Sequence, residues 1–285
     1  MSIGVICRMN QARSIFVEGV LTKNFPELDF FSSGVQAVSG SATIDGVEEL
    51  AKVWEIELTK KRSSTIQEDL SEILEAELII CTEMAFEPAI RLLGYSGKVL
   101  NFEQLVTDSF FMPLDPEGLN VDKFKRELAK AAAISIKAVR SHLGLRFANP
   151  IKVVTPNSAT DSNLALAHAV MEAKISNAIL VDADFRAPNL SEIKEQGLEV
   201  VEFDIKNFDQ LPLESITNQQ ILTHQYQINH PGQILLAPIF TSFLQRLTQV
   251  RPVVLLTAPR YTNSLRLSDS YIFSAYTDNI SVISA

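Results

Sequence analysis

The chain has 285 residues, 46% hydrophobic and 21% charged, with a formal net charge of −9. That length holds one large or two medium domains. The acidic balance lacks the basic footprint of a nucleic-acid binder, two cysteines make no disulfide framework, and no apolar run has the length of a membrane span.

From the start of the chain, Ile3-Gly4-Val5-Ile6 predicts a short buried strand. No charged start with a long apolar segment reads as a signal peptide, so a cytoplasmic location is expected, where a thiol stays reduced. The strand runs into Cys7-Arg8-Met9-Asn10-Gln11-Ala12-Arg13-Ser14, with a helix starting near Arg13. A cysteine at the end of a buried strand is ordinarily a small core residue. Here a strand-to-helix turn follows it, and such a turn points several N–H groups inward as an anion nest. The helix adds the positive end of its dipole, which favours both the anion and a thiolate nucleophile.

Arg13 can grip two oxygens of a phosphoryl group and follow its charge into the transition state. Ser14 can donate a hydroxyl hydrogen bond to the thiolate. Asn10 suits left-handed backbone and can hold the loop through its amide. Cys7 and Arg13 are therefore expected catalytic residues, and Arg8, Met9, Asn10, Gln11, Ala12 and Ser14 are expected to bind the substrate. The four histidines have no metal-ligand spacing, and no metal or cofactor is expected.

Phe31-Ser32-Ser33-Gly34 and Leu78-Ile79-Ile80 predict further strands, the second ending in Cys81. A helical pattern runs from Val121 to Leu143, with Gly144 as its C-terminal cap. Before it lies Asp115-Pro116. Expelling a phenolate or alkoxide from phosphorus needs a proton donor at the apical oxygen. Asp115 on a loop can supply that proton and then activate water. Asp108 in Thr107-Asp108-Ser109 is the competing carboxyl, and an Asp-Pro pair is also a common turn start. Phe110, Phe111 and Trp54 either wall a pocket or belong to the core.

Several of these residues together resemble the low-molecular-weight protein tyrosine phosphatases and the arsenate reductases that share their fold. They are Cys7, Asn10, Arg13 and Ser14, Glu18-Gly19, Phe31–Gly34, the stretch Glu75–Ile80, and Asp115-Pro116 nine residues before Phe124. The resemblance covers residues 1–145. It implies a cysteinyl-phosphate intermediate, Asp115 as general acid and a phosphorylated protein as substrate. The chain departs from the pattern at Met9, often glycine, and at Gln11 and Ala12, which replace an apolar residue and a second cysteine. Glu117-Gly118 follow the Asp-Pro pair where aromatics are common. Cys81 stands roughly where one arsenate reductase type has its first resolving cysteine, with Glu87-Pro88 in the region of the second; as a strand residue it is otherwise core.

The chain divides near Arg146–Pro150, and a new strand begins at Ile151-Lys152-Val153-Val154. The segment Ala178–Pro188, an apolar strand ending in Asp182, Asp184 and Arg186, resembles the second Walker motif of bacterial tyrosine kinases and their MinD/ParA relatives. Asn163-Leu164-Ala165, Arg251–Pro259, Ser268-Asp269 and Ile280–Ile283 continue the resemblance. A phosphate-binding loop needs glycines and a lysine. The corresponding turn, Thr155-Pro156-Asn157-Ser158-Ala159-Thr160, has neither, and Leu256 stands where a metal-associated carboxylate is expected.

The expected architecture is α/β, two three-layer domains each with a mainly parallel sheet, at 1–147 and 150–285. The expected function is a cysteine-dependent phosphatase, a protein tyrosine phosphatase by its resemblance, with a non-catalytic kinase-like second domain. That second resemblance implies a bacterial tyrosine kinase of an exopolysaccharide system as substrate or partner. The alternatives are a phosphate-sensing module that pairs with such kinases, and an arsenate reductase-like enzyme.

Overall fold

In the computed structural model, β1 (Ser2–Cys7) is buried along nearly its whole length, as a central strand of a parallel sheet must be. The structure describes all residues except 60, 61, 107, 109, 110, 186–189, 218, 229, 230, 261–269, 278 and 285, together with the side chains of 190–192 and 270. Thr107, Ser109 and Phe110, and Arg186, Ala187, Pro188, Ser268 and Asp269 of the stretches whose sequence resembles tyrosine kinases, thus lie outside the described residues. The chain forms two units, Met1–Leu145 and Arg146–Ala285.

In the first unit β1 is followed by α1 (Arg13–Asn24), β2 (Asp29–Gly34), α2 (Val47–Val53), α3 (Leu70–Glu75) and β3 (Leu78–Cys81). Then come α4 (Glu87–Leu92), β4 (Lys98–Asn101), α5 (Phe102–Leu105) and α6 (Val121–His142). The strands pair in parallel in the order β2-β1-β3-β4. Because strand side chains alternate, Ile6, Phe31, Ile79 and Cys81 share one face, where they pack with Ile73 of α3 and Ile90 of α4. The other face is covered by α1 and α6, which also pack on each other. Ala129, Ala131, Ala132 and Ala133 of α6 are fully buried, and their short side chains let the helix lie close to its neighbours. Asn120 caps the start of α6 by accepting from the Lys123 N–H at 3.0 Å. Gly144 ends the helix at φ 66, and the Leu145 N–H reaches back to the Arg140 carbonyl at 2.8 Å.

The second unit contains β5 (Ile151–Pro156), α7 (Ser162–Ser176), β6 (Ile179–Asp182), α8 (Leu190–Glu195), β7 (Glu199–Phe203) and β8 (Gln220–His224). It ends with α9 (Pro231–Leu235), α10 (Pro238–Val250), β9 (Val253–Leu256) and β10 (Ile280–Ile283). Its six strands are all parallel, in the order β10-β5-β9-β6-β8-β7. Leu166, Ala169 and Ala173 of α7 pack on Val154, Leu180 and Val254. An aromatic cluster holds α10 to the sheet, with Phe243 stacked on Phe203 at 5.0 Å and Phe240 edge-on to Phe185 at 6.1 Å. Both units are thus α/β with helices on both faces of a parallel sheet. No helix among the described residues is long and apolar enough to cross a membrane.

Candidate active site

Cys7 is the last residue of β1, and the order β2-β1-β3-β4 places the chain's change of direction across the sheet at that strand. In open parallel sheets the crevice at the carboxyl end of such a strand is where ligands bind. The loop after Cys7 turns its carbonyls outward. The Cys7 carbonyl accepts from the Val35 N–H at 3.1 Å, Arg8 from Gln36 at 2.8 Å, Gln11 from Ile44 at 2.9 Å and Ala12 from Phe16 at 3.0 Å. Among the described residues no hydrogen bond takes up the N–H groups of Met9, Gln11 or Ala12. Helix α1 begins at Arg13 with no capping side chain, so its first donors are also left open. Unspent donors and a helix start at one place are what an oxyanion needs.

Asn10 holds this loop in shape. It is fully buried, at φ 50, and its own N–H points at the Cys7 Sγ from 3.2 Å. Its Nδ2 donates to Ser14 Oγ and Ser32 Oγ, both at 2.9 Å, and its Oδ1 accepts from the Ser64 N–H at 2.8 Å. Ser14 Oγ lies 3.0 Å from Cys7 Sγ. Because Ser14 already accepts from Asn10, its hydroxyl hydrogen is available for the sulfur, and two donors then face the thiolate form. Ser33 and Ser64 hydroxyls both donate to the Asp69 carboxylate behind the loop. Gly34 permits the close approach of β2, since a Cβ there would lie 2.8 Å from the Arg8 carbonyl oxygen and 2.9 Å from the Asn10 nitrogen.

Arg13 is 5% exposed. Its Nη2 lies 2.8 Å from Glu83 Oε1 and 3.4 Å from Asp115 Oδ2. Glu83 also reaches the Arg8 Nη2 at 3.4 Å. Asp115 therefore comes from a loop more than 100 residues away to the Arg13 guanidinium. Its Oδ1 accepts from the Glu117 N–H at 3.2 Å, which fixes the carboxylate's direction.

A cleft of about 620 Å³ opens over this loop. Cys7, Arg8, Met9, Gln11, Ala12 and Arg13 line it, whereas Asn10 and Ser14 lie behind the loop and act on its shape. Ile44, Pro116, Leu119, Val121 and Phe124 form apolar walls, and Asp45, Glu49 and Glu117 stand at the exposed rim beside Asp115. Asp108 is not part of the lining. Neither are Trp54 and Phe111, which are core residues; Trp54 packs edge-on to Phe16 at 5.5 Å. Among the described residues, the aromatic side chain lining the cleft is Phe124. Cys81 is fully buried on the sheet face opposite α1, and burial, with the nearby Glu87 charge, pushes its thiol up to about 12 despite Arg91. Glu83 was not singled out by sequence; its only advance signal was its place just past β3, the strand beside β1.

No family model matches the chain, and no curated protein does. Several solved structures resemble about half of it. The Erwinia amylovora tyrosine phosphatase AmsI is 21% identical with a TM-score of 0.44, covering 49% of this chain and 91% of that one. The Escherichia coli K30 tyrosine phosphatase Wzb, in complex with sulphate, is 20% identical with a TM-score of 0.42, over 50% of this chain and 98% of that one. The YwlE arginine phosphatase from Geobacillus stearothermophilus is 22% identical with a TM-score of 0.42, over 51% and 97%. Likeness at this level decides neither activity nor substrate, which have to be read from the residues around Cys7.

Proposed function

We propose that the first unit is a phosphomonoester hydrolase that works through a cysteinyl-phosphate. The observation that carries this reading is a sulfur at the base of a loop whose Met9, Gln11 and Ala12 N–H groups are unspent, with Arg13, held by Glu83, lining the same cleft. The phosphoryl oxygens take the N–H groups and displace Asp115 from Arg13, leaving its carboxyl to meet the leaving group. The Cys7 thiolate attacks phosphorus; the S–P bond forms as the P–O bond to the leaving group breaks, and Asp115 gives its proton to the departing oxygen. Water then attacks phosphorus, Asp115 takes the water's proton, and the S–P bond breaks. The Ser14 hydroxyl and the Asn10 N–H stabilise the departing thiolate, and inorganic phosphate is released.

A phosphotyrosine side chain in a protein fits the apolar walls, because Phe124, Leu119 and Ile44 can cover a ring while the phosphate rests on the loop. A cleft of about 620 Å³ falls within the range of roughly 300–1,000 Å³ typical of such sites. The arsenate reductase alternative would need a second thiol near Cys7, and Cys81 lies on the other face of the sheet. Hydrolysis of para-nitrophenyl phosphate by the parent and by Cys7→Ser tests the proposal. Turnover should vanish in the variant, and equal rates would refute the reading.

For residues 150–285 we infer a nucleotide-hydrolase-like scaffold without kinase or ATPase activity, which recruits a phosphorylated partner such as a bacterial tyrosine kinase of an exopolysaccharide system. Its all-parallel sheet and the short turn after β5, where Ser158 and Asp161 close a capping box, support this. Asp182 ends β6 buried, and its Oδ1 accepts from the Asp184 N–H at 3.1 Å, a turn-capping use. The thiol chemistry of the first unit suits the cytoplasm. Tight binding of ATP and magnesium in a calorimeter would contradict the scaffold reading.

A further inference from the structure

Glu127 is 0% exposed, on the α6 face that also buries Phe124, Leu128 and Ala131. An apolar side chain would fill that face without the cost of desolvating a charge. The carboxylate is compensated by three donors. Its Oε2 accepts from the Leu114 N–H at 2.8 Å and lies 3.5 Å from Lys130 Nζ, while its Oε1 accepts from Arg126 Nε at 2.8 Å. Lys130, itself 7% exposed, donates to the Met112 carbonyl at 3.4 Å. Two charged side chains one helical turn apart therefore hold the main chain at 112 and at 114, immediately before Asp115. The Asp115 carboxylate is then aimed by the Glu117 N–H and faces Arg13.

We propose that Glu127, assisted by Lys130, is a positioning residue that fixes the Asp115 loop over Cys7. α6, at 22 residues, is the longest helix described in this unit, and α1, which carries Arg13, packs on it. The latch thus references the proton donor to the same helix pair that references the phosphate loop. A misplacement of about 1 Å in such a group can cost on the order of 10²-fold in rate. This inference rests on the reading of Asp115 as general acid.

The test compares kcat/KM for phenyl phosphate, whose leaving oxygen needs a proton, with that for dinitrophenyl phosphate, whose leaving oxygen does not. Glu127→Ala should lose about 10²-fold on phenyl phosphate while dinitrophenyl phosphate changes little, and Glu127→Gln, which keeps an acceptor for the Leu114 N–H, should recover part of the loss. A merely structural role would lower both substrates alike, and that result, or no loss on either, overturns the proposal. Lys130→Met carries the same criterion if Glu127→Ala does not fold. Asp115→Asn runs in parallel: if it too lacks the selective loss, the acid assignment itself fails, and if it alone shows the loss, only the latch fails.

Discussion

Replacing Asn10 by alanine removes the residue that ties the Cys7–Ser14 loop to the rest of the first unit. Three groups each lose one hydrogen bond: the buried Ser14 and Ser32 hydroxyls lose a donor at 2.9 Å, and the half-buried Ser64 N–H loses its acceptor at 2.8 Å. Leaving a buried polar group unsatisfied costs about 1–3 kcal/mol. A side chain with no local hydrogen bond at φ 50 adds roughly 1–2 kcal/mol of backbone strain. Relaxation and coupling within the network reduce the sum, so a loss of about 3–5 kcal/mol is expected. Urea unfolding followed through Trp54, the single tryptophan, reports on this unit because its ring packs on Phe16 of α1. With a slope of about 1–3 kcal/mol per molar, the midpoint should fall by roughly 1–5 M. Asn10→Asp, which keeps the acceptor and tolerates left-handed backbone, should fall in between. The same variants should lose kcat/KM, since Ser14 no longer has its hydroxyl directed at the sulfur. A stability loss under about 1 kcal/mol with unchanged kcat/KM would refute this account of the loop.

The other predictions concern the loop's neighbours. Gly34→Ala should lower kcat/KM by at least about tenfold with a smaller effect on KM, because a Cβ at 2.8 Å from the Arg8 carbonyl pushes the loop backbone directly; unchanged kinetics would show that the loop yields. Glu83→Gln should tighten inhibition by inorganic phosphate about two- to fivefold, the scale of a partly exposed ion pair, because Arg8 and Arg13 lose a competing carboxylate; weaker inhibition would mean that Glu83 chiefly orients Arg13. Cys81 has a folded-state value raised to about 12 from 9.0, so in that window the folded state holds a proton that the unfolded state releases. Its contribution is complete below about pH 9 and is lost as pH rises towards 12, by up to ~1.4 kcal/mol per unit. Cys81→Ala should flatten that alkaline part of the unfolding profile, and an unaltered profile would contradict the burial argument.

The α/β class was legible because Ile3–Ile6 and Leu78–Ile80 are continuous apolar runs of strand length, separated by helical periodicity. The Cys7 loop was legible as a candidate because its groups are local, and eight consecutive residues carry thiol, cation and hydroxyl. Glu83 was not, since it reaches Arg13 only through the parallel register that sets Ile6 beside Cys81. Glu127 and Lys130 sit among residues that read as an ordinary helix face, and only the folded chain shows their contacts with the main chain at 112 and 114. Trp54 and Phe111 illustrate the same limit from the other side: an aromatic residue's type does not say whether it meets a substrate or Phe16. Phe124, used in the sequence only to mark a helix, turns out to wall the cleft.

In the proposed mechanism Cys7 forms a covalent bond to phosphorus. Intact-protein mass spectrometry of Asp115→Asn, quenched in acid during reaction with para-nitrophenyl phosphate, tests it most directly. The account predicts a gain of one phosphoryl group, localised to Cys7 by fragmentation and absent from Cys7→Ala. Turnover by the parent protein with no such adduct on Cys7, or an adduct that persists in Cys7→Ala, would contradict it.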